Sequence, residues 1–215
     1  MHNKPIYLFS VSSHPDAVHV NSLDITFFQP EIDFSKYDYF IITSKQASKA
    51  LQQYEKKEYI KKPALCISKQ SAKSFEDLGG QVLAVGKGYG DTLVEKIKQY
   101  PKETKWLYLR AELVASDFVL TCKEEGYCID EKIVYASKCS EALLHVTVPQ
   151  EAILIFTSPS SVECFLSRHT LLHTHKIIVI GKTTAKALPK NCSYTLSDET
   201  TIESCMQIVG KSHEK

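Results

Sequence analysis

Short apolar runs recur along the chain, and many of the stretches between them carry apolar residues at helical spacing. Ten runs predict strands: Ile6–Phe9, Ile25–Gln29, Tyr39–Thr43, Ala64–Ile67, Val82–Val85, Trp106–Leu109, Ile129–Tyr135, Ala152–Phe156, Ile177–Ile180 and Ser193–Leu196. Between them, Ala47, Ala50, Leu51 and Tyr54 fall on one helical face, as do Val162, Phe165 and Leu166. Runs such as IIVI and AILIF are apolar throughout, which is expected when helices cover both faces of a sheet. The alternation of strand and helix therefore predicts an α/β fold with parallel sheets.

The chain also repeats itself. Ile42-Thr43-Ser44-Lys45 resembles Phe156-Thr157-Ser158-Pro159, and the segment from Ile67 to Phe75 resembles the segment from Ile180 to Leu188. Both pairs are offset by about 113 positions, which points to two copies of one α/β unit. Chance likeness of short Ser/Thr-rich turns is the competing explanation. The second copy begins near Ser140 and the first near Asp33, so the strand Ile6–Phe9 has no copy of its own. Residues 1–28 and 138–215 are thus expected to form a discontinuous α/β domain. Residues 33–133 form the other, with linkers at 29–32 and 134–137.

At a length of 215 residues, one or two domains are expected. With 43% hydrophobic and 24% charged residues, a disordered or collagen-like chain is excluded. The formal net charge of +1 argues against a general nucleic-acid or membrane-surface binder, so any attraction for anions is local. Apolar stretches are too short for a membrane span or a signal peptide, which predicts a cytoplasmic protein. The seven cysteines, an odd count without a leader, predict reduced thiols rather than a disulfide framework. No C-x-x-C pair suggests structural zinc.

Candidate chemistry gathers where strands turn into helices. Thr43-Ser44, Ser68 to Ser71, Thr157-Ser158 and Thr183-Thr184 place hydroxyls at such turns. N-capping accounts for each one singly, with Pro159 as a favourable first helical residue. Open α/β sheets nevertheless bind ligands at the carboxyl ends of their strands, and helix N-termini there attract anions. Lys45, Lys69 and Lys182 stand beside these starts and Lys87 in a Gly-rich turn. A cation at a helix N-terminus opposes the macrodipole by ~0.3–1 kcal/mol, a cost that a shared anion would offset. Gly86-Lys87-Gly88-Tyr89-Gly90 has G-x-G-x-G spacing and reads as a tight turn more readily than as a dinucleotide loop. His169, His173 and His175 read as a polar loop end rather than a metal site. No nucleophile elbow or phosphate loop of the ATPase type occurs.

The motifs FIITSKQASKAL (40–51), ISKQSAKSFEDLG (67–79), WLYLRAELVASDF (106–118), IVYAS (133–137), ILIFTSPSSVECF (153–165) and IGKTTAKAL (180–188) together resemble uroporphyrinogen-III synthases. The resemblance implies two similar parallel-sheet α/β domains joined by a two-strand linker, one domain discontinuous, with a cleft between them. It implies conversion of hydroxymethylbilane to uroporphyrinogen III, with loss of water and inversion of the terminal pyrrole ring through a spirocyclic intermediate. No metal or organic cofactor is implied. Tyr135 matches the family's V-Y tyrosine, which is proposed to assist departure of the substrate hydroxyl. Thr183 and Thr184 with Gly181 match the I-G-x-T-T-A motif, with Ser68 and Ser71 as the first-domain counterparts. Thr157, Ser158 and Ser160 match the second-domain T-S-P-S turn, Ser44 and Lys45 the first-domain turn, and Arg110 the L-Y-L-R-G arginine. These are the implied substrate-binding residues. The implied partners are the tetrapyrrole substrate and a transient contact with hydroxymethylbilane synthase, the chain itself being a monomer without nucleic acid or membrane. Ala111 stands where the family has glycine, Ser68 where the first-domain motif has glycine, and the arginine after the first strand is missing. A non-catalytic two-domain module for a polyanionic small molecule would give the same fold and turns. A sugar-phosphate isomerase-type domain would also use such turns, but would want a carboxylate or His base nearby. An inactive relative serving as a scaffold is a further alternative, against which the retention of Tyr135 argues.

Overall fold

The strand–helix alternation is realised as parallel-sheet α/β structure in the computed structural model, which describes residues 4–114 and 116–211. The chain divides into two units, with breaks after Asp24 and after Ser137.

The unit running from Ile25 to Ser137 is built on a sheet of six strands. In chain order the strands are β3 (Leu23–Phe27), β4 (Tyr39–Ile42), β5 (Ala64–Cys66), β6 (Val82–Val85), β7 (Trp106–Ala111) and β8 (Ile129–Cys139). In space they run β3-β8-β7-β4-β5-β6, and the pairs β8/β7, β7/β4, β4/β5 and β5/β6 are parallel. Side chains alternate across the sheet because successive Cβ atoms of a strand point to opposite faces. Phe40 and Ile42 therefore pack with Ala47, Ala50 and Leu51 of α1 (Lys45–Leu51), Tyr59 of α2 (Lys56–Tyr59), and Ala72 and Phe75 of α3 (Lys69–Glu76). Ile41 faces the other way, toward Leu93 and Ile97 of α4 (Gly90–Ile97) and Phe118, Val119 and Cys122 of α5 (Phe118–Glu124).

The other unit joins the two chain ends on a five-stranded parallel sheet. Its strands are β1 (Ile6–Phe9), β2 (Val18–Val20), β9 (Ile153–Phe156), β10 (Lys176–Val179) and β11 (Thr195–Leu196), ordered β11-β10-β9-β1-β2. One face carries Leu143 of α6 (Ala142–His145), Val162 and Phe165 of α7 (Pro159–Leu166), and Leu188, which follows α8 (Lys182–Ala185). The other carries Ile202, Cys205 and Val209 of α9 (Ile202–Lys211). Matching β9, β10, β11, β1 and β2 to β4, β5, β6, β7 and β8 gives the same spatial order in both units. The units are circular permutants of one another: what comes fourth in one comes first in the other.

Three details depart from the sequence reading. β2 is missed, because a three-residue edge strand with a histidine at its centre has too little apolar pattern to register. β8 runs unbroken through residues 134–137, which carry neither Gly nor Pro to stop it. The expectation that all cysteines are reduced is overturned: Cys139 at the end of β8 is bridged to Cys164 in α7, their Cα atoms 5.2 Å apart. The two residues converge only through the fold, so neither count nor spacing reveals them. Cys66, Cys122, Cys128, Cys192 and Cys205 are free thiols. No helix of the described residues is long and apolar enough to cross a membrane.

The bridge spans 25 positions, and closing a loop of that size is worth about 3 kcal/mol through the unfolded chain. Urea unfolding in the presence of a dithiol reductant is expected to show a stability lower by about that amount. The Cys139→Ser variant should already show the lower value without reductant.

Candidate functional site

In both units the chemistry lies at the carboxyl ends of the strands, around the point where strand order reverses. Such switch points leave a crevice where ligands bind in open α/β sheets. In the first unit described, the reversal falls between β4 and β7. Thr43 and Ser44 follow β4, and Arg110 and Ala111 end β7. In the other, it falls between β9 and β1. There Thr157 and Ser158 follow β9, and the Thr157 hydroxyl donates to the Phe9 carbonyl at the end of β1, 3.3 Å away.

The helix starts are built by one rule. The first amides of a helix lack intrahelical partners, and a preceding Ser supplies an acceptor. Ser44 Oγ accepts from the Gln46 amide at 3.1 Å. Ser68 and Ser71 form a reciprocal capping box, and so do Ser158 and Ser161. Gly181 opens α8 with no side-chain cap. Adjacent turns are stitched together identically in the two units: Ile67 N–H donates to Ile42 O at 3.0 Å, and Ile180 N–H to Phe156 O at 3.1 Å. Lys45, Lys69 and Lys182 are each the first residue of their helix. Among the described residues no carboxylate pairs with Lys69, Lys87 or Lys182. The half-buried Lys45 ammonium has its pKa lowered, by burial first and by Lys49 second. In the Gly-rich turn, Gly88 has φ +87 and a Cβ on Gly86 would lie 2.9 Å from Ile67 O, so both glycines serve the close approach of backbones.

Tyr135 is buried, and the Ser44 side chain stands near enough to its phenol to act on its acidity. Burial raises its pKa above the ordinary tyrosine value, against a smaller opposing effect of Ser44. The phenol is therefore protonated throughout the neutral range. A second hydroxyl pair, Thr43 Oγ1 and Tyr108 OH at 3.0 Å, stands after the same strand. Burial pushes the Tyr108 phenol up to about 12. This second pair was not anticipated from sequence, since a Tyr inside a strand run reads as core.

Several anticipated residues are placed differently from one another. Ser44 and Lys45 open α1 after β4, Ser68 caps α3 after β5, and Tyr135 lies in β8 with Ser44 near its phenol. Ser158, Ser160, Gly181 and Thr183 lie on the neighbouring turns of β9 and β10. Ser71 and Thr184 are nearly fully buried, at 2% and 3% exposure, and the Ser71 hydroxyl is engaged with Ser68. Arg110 is already committed. Its guanidinium pairs with Glu131 at 2.8 Å and donates to the Ala111 and Glu112 carbonyls, each at 3.0 Å. Glu131 also pairs with Lys123 at 3.1 Å. Two of the three histidines hold backbone: His175 Nε2 contacts Pro149 O and its Nδ1 accepts from the Leu172 amide, while His169 Nε2 contacts Leu143 O. No group of three or more His, Cys, Asp or Glu among the described residues is placed to hold a metal.

Two measurements check this electrostatic and capping structure. Ser158→Ala removes one side of a capping box and is expected to cost about 1 kcal/mol in urea unfolding. Burial alone would raise the Glu131 pKa, but the donors Lys123 and Arg110 hold it below its ordinary value of 4.5. A carboxyl with a depressed folded-state pKa contributes stability above its unfolded pKa and loses it as pH falls through the folded one. Unfolding midpoints should therefore drop on acidification below pH 4.5, and drop less steeply in Glu131→Gln.

Comparison with known proteins bears on the same architecture. The structure is similar to that of uroporphyrinogen-III synthetase from Helicobacter pylori, with a TM-score of 0.77, 20% sequence identity, and coverage of 97% of this chain and 99% of that one. It is also similar to a mutant uroporphyrinogen III synthase from the extremely thermophilic bacterium Thermus thermophilus, with a TM-score of 0.61, 15% identity, and coverage of 97% and 99%. At these identities the likeness establishes the fold. A search of curated protein sequences finds no match. The family model of uroporphyrinogen-III synthase HemD matches residues 16–207. With nearly the whole chain matched, this protein belongs to the uroporphyrinogen-III synthase HemD family, enzymes of tetrapyrrole biosynthesis.

Proposed function

We propose that this enzyme closes hydroxymethylbilane with loss of water and inverts the terminal pyrrole ring through a spirocyclic intermediate. We take Tyr135 as the residue that assists departure of the hydroxyl. The observation that carries the proposal is the buried Tyr135 phenol on β8 with Ser44, which opens the helix after β4, beside it. A buried phenol with a raised pKa keeps its proton at neutral pH and can donate to a leaving oxygen. Ser44, which also caps α1, fixes the ring against that task.

The substrate carries eight carboxylates by its chemistry, and helix-start amides with adjacent cations suit them. In this reading Ser44, Lys45, Ser68, Thr157, Ser158, Ser160, Gly181 and Thr183 bind substrate through amides, hydroxyls and the one ammonium. Ser71 and Thr184, nearly fully buried, serve the site by shaping the turns rather than by contact: the Ser71 amide and hydroxyl are both engaged with Ser68. The two units stand for the two similar domains of the family, with β3 and β8 as the connecting strands. The chain works as a cytoplasmic monomer, in transient contact with hydroxymethylbilane synthase. No side-chain triad is needed. Once the hydroxyl leaves, the cationic azafulvene closes to the symmetric isomer I unless the terminal ring is held so that its substituted carbon attacks. Catalysis is then chiefly positioning with charge stabilisation around the developing cation.

The test is product analysis with freshly generated hydroxymethylbilane, followed by oxidation and chromatographic separation of the porphyrin isomers. Isomer III is expected to rise in proportion to protein. Tyr135→Phe should lower the rate by on the order of 10²-fold, with isomer I recovering as spontaneous closure competes. Isomer I alone from well-folded protein would leave the binding module for polyanionic small molecules as the better reading.

A further inference from the structure

We propose that Arg110 and Glu131 are positioning residues whose clamp holds a β-bulge that aims Tyr135. The proposal rests on the role given to Tyr135 above and extends it to Glu131, and to Arg110 in a part other than the substrate binding that the resemblance implies.

The geometry begins with register. β7 and β8 pair residue for residue from Trp106↔Ile129 to Arg110↔Ile133, and then the register shifts, so that Ala111 faces Tyr135. Val134 is the extra residue. In an unbroken strand, Ile129, Glu131, Ile133 and Tyr135 would share one face. Ile129 indeed lies with Trp106, Tyr108 and α5, and Glu131 reaches Lys123 of α5 on that side. Tyr135 does not follow them. It is buried beside Val134 with Phe40, Ile42 and Ala47, on the opposite face of the sheet. The bulge has turned two consecutive side chains to one face, and only there can the phenol reach Ser44 at the start of α1. An extra residue that re-aims a side chain next to a site is a recurrent use of bulges.

A bulge interrupts the ladder and leaves carbonyls to be satisfied. The carbonyl of the extra residue, Val134, accepts from the Phe28 amide at 2.9 Å, and on the β7 side of the shift the carbonyls are satisfied by Arg110. Its Nε donates to Ala111 O and its Nη2 to Glu112 O, both at 3.0 Å, and the Glu112 amide resumes the ladder by donating to Tyr135 O at 2.9 Å. Glu131, one strand over, fixes the guanidinium through Nη1 at 2.8 Å. Only a planar fork reaches a carboxylate and two carbonyls together, which a lysine ammonium cannot do in the same geometry. The unshifted ladder is the competing arrangement. A one-residue slip there would send Tyr135 to the α5 face.

The test uses Glu131→Gln, Arg110→Lys and, as a control that removes the other ion pair of Glu131 without touching the guanidinium, Lys123→Met. Hydrogen exchange at the Glu112 amide reads the clamp without substrate. Turnover of hydroxymethylbilane, with kcat, KM and the ratio of isomer III to isomer I, reads its consequence. The expected result is faster Glu112 exchange in both clamp variants but not in the control. In the same two variants kcat falls about tenfold, KM stays within about twofold, and the isomer III share falls. Glu131→Gln should add nothing further to Tyr135→Phe, because both act through one phenol. A KM increase at unchanged kcat in Arg110→Lys alone would instead make Arg110 a substrate-binding residue and overturn the proposal. So would a lowered thermal midpoint with unchanged isomer ratio, which is the mark of a purely structural pair. Unchanged Glu112 exchange sinks the clamp whatever the assay gives. Faster exchange together with isomer I alone from the unmutated protein would sink the synthase reading and, with it, the proposed consequence for turnover.

Discussion

Backbone amides at the start of a helix have no acceptor within the helix, and in a parallel α/β sheet such starts collect at one end of every strand. Much of the polar structure here answers that constraint. Ser44, Ser68 and Ser158 supply oxygens to these amides, and in two cases the third residue of the helix returns the favour. The apolar faces then close behind them, with Phe40 and Ile42 on one side of the sheet and Ile41 on the other. A surface already organised to hold oxygen near amides is close to one that holds carboxylates. Binding of a polyanion therefore needs little added chemistry beyond the lysines at the helix starts.

How much of this could be read from the chain depends on the range of the interaction involved. Alternation of apolar runs with helical spacing is local, so the parallel-sheet α/β character was legible from runs such as AILIF and IIVI. Helix starts were legible for the same reason, since Ser, Thr and Pro act within three residues of themselves. Even so, the hydroxyl that completes the second capping box belongs to Ser161 rather than Ser160, and only the S-x-x-S spacing distinguishes them. Long-range facts were not legible. Cys139 and Cys164 are brought together by a strand and a helix that meet only in the folded unit. The shift at Arg110 has no local signal either, because Ile133, Val134 and Tyr135 read as an ordinary apolar run.

Arg110 illustrates the limit of motif reading. An arginine at the end of a strand near a predicted anion site invites assignment to the ligand. Its three hydrogen bonds are instead to a carboxylate and two carbonyls of its own chain. The motif marks a place where the backbone must depart from regularity, and the side chain pays for that departure. In the reaction proposed above, such fixed placement matters more than strong acids or bases.

The permuted order of the two sheets has a bearing on synthesis of the chain. Strands β4 to β8 are consecutive, so that sheet can close as soon as its own residues have emerged. β1 is an interior strand of the other sheet, with Leu8 and Phe9 fully buried, and it pairs with β2 soon after it in the chain but with β9 only much later. The bond from Thr157 to the Phe9 carbonyl links residues 148 positions apart. During that interval β1 has an open edge and an uncovered apolar face, the condition in which nascent chains aggregate or recruit chaperones. A strand made before most of its partners is thus among the last to find its place.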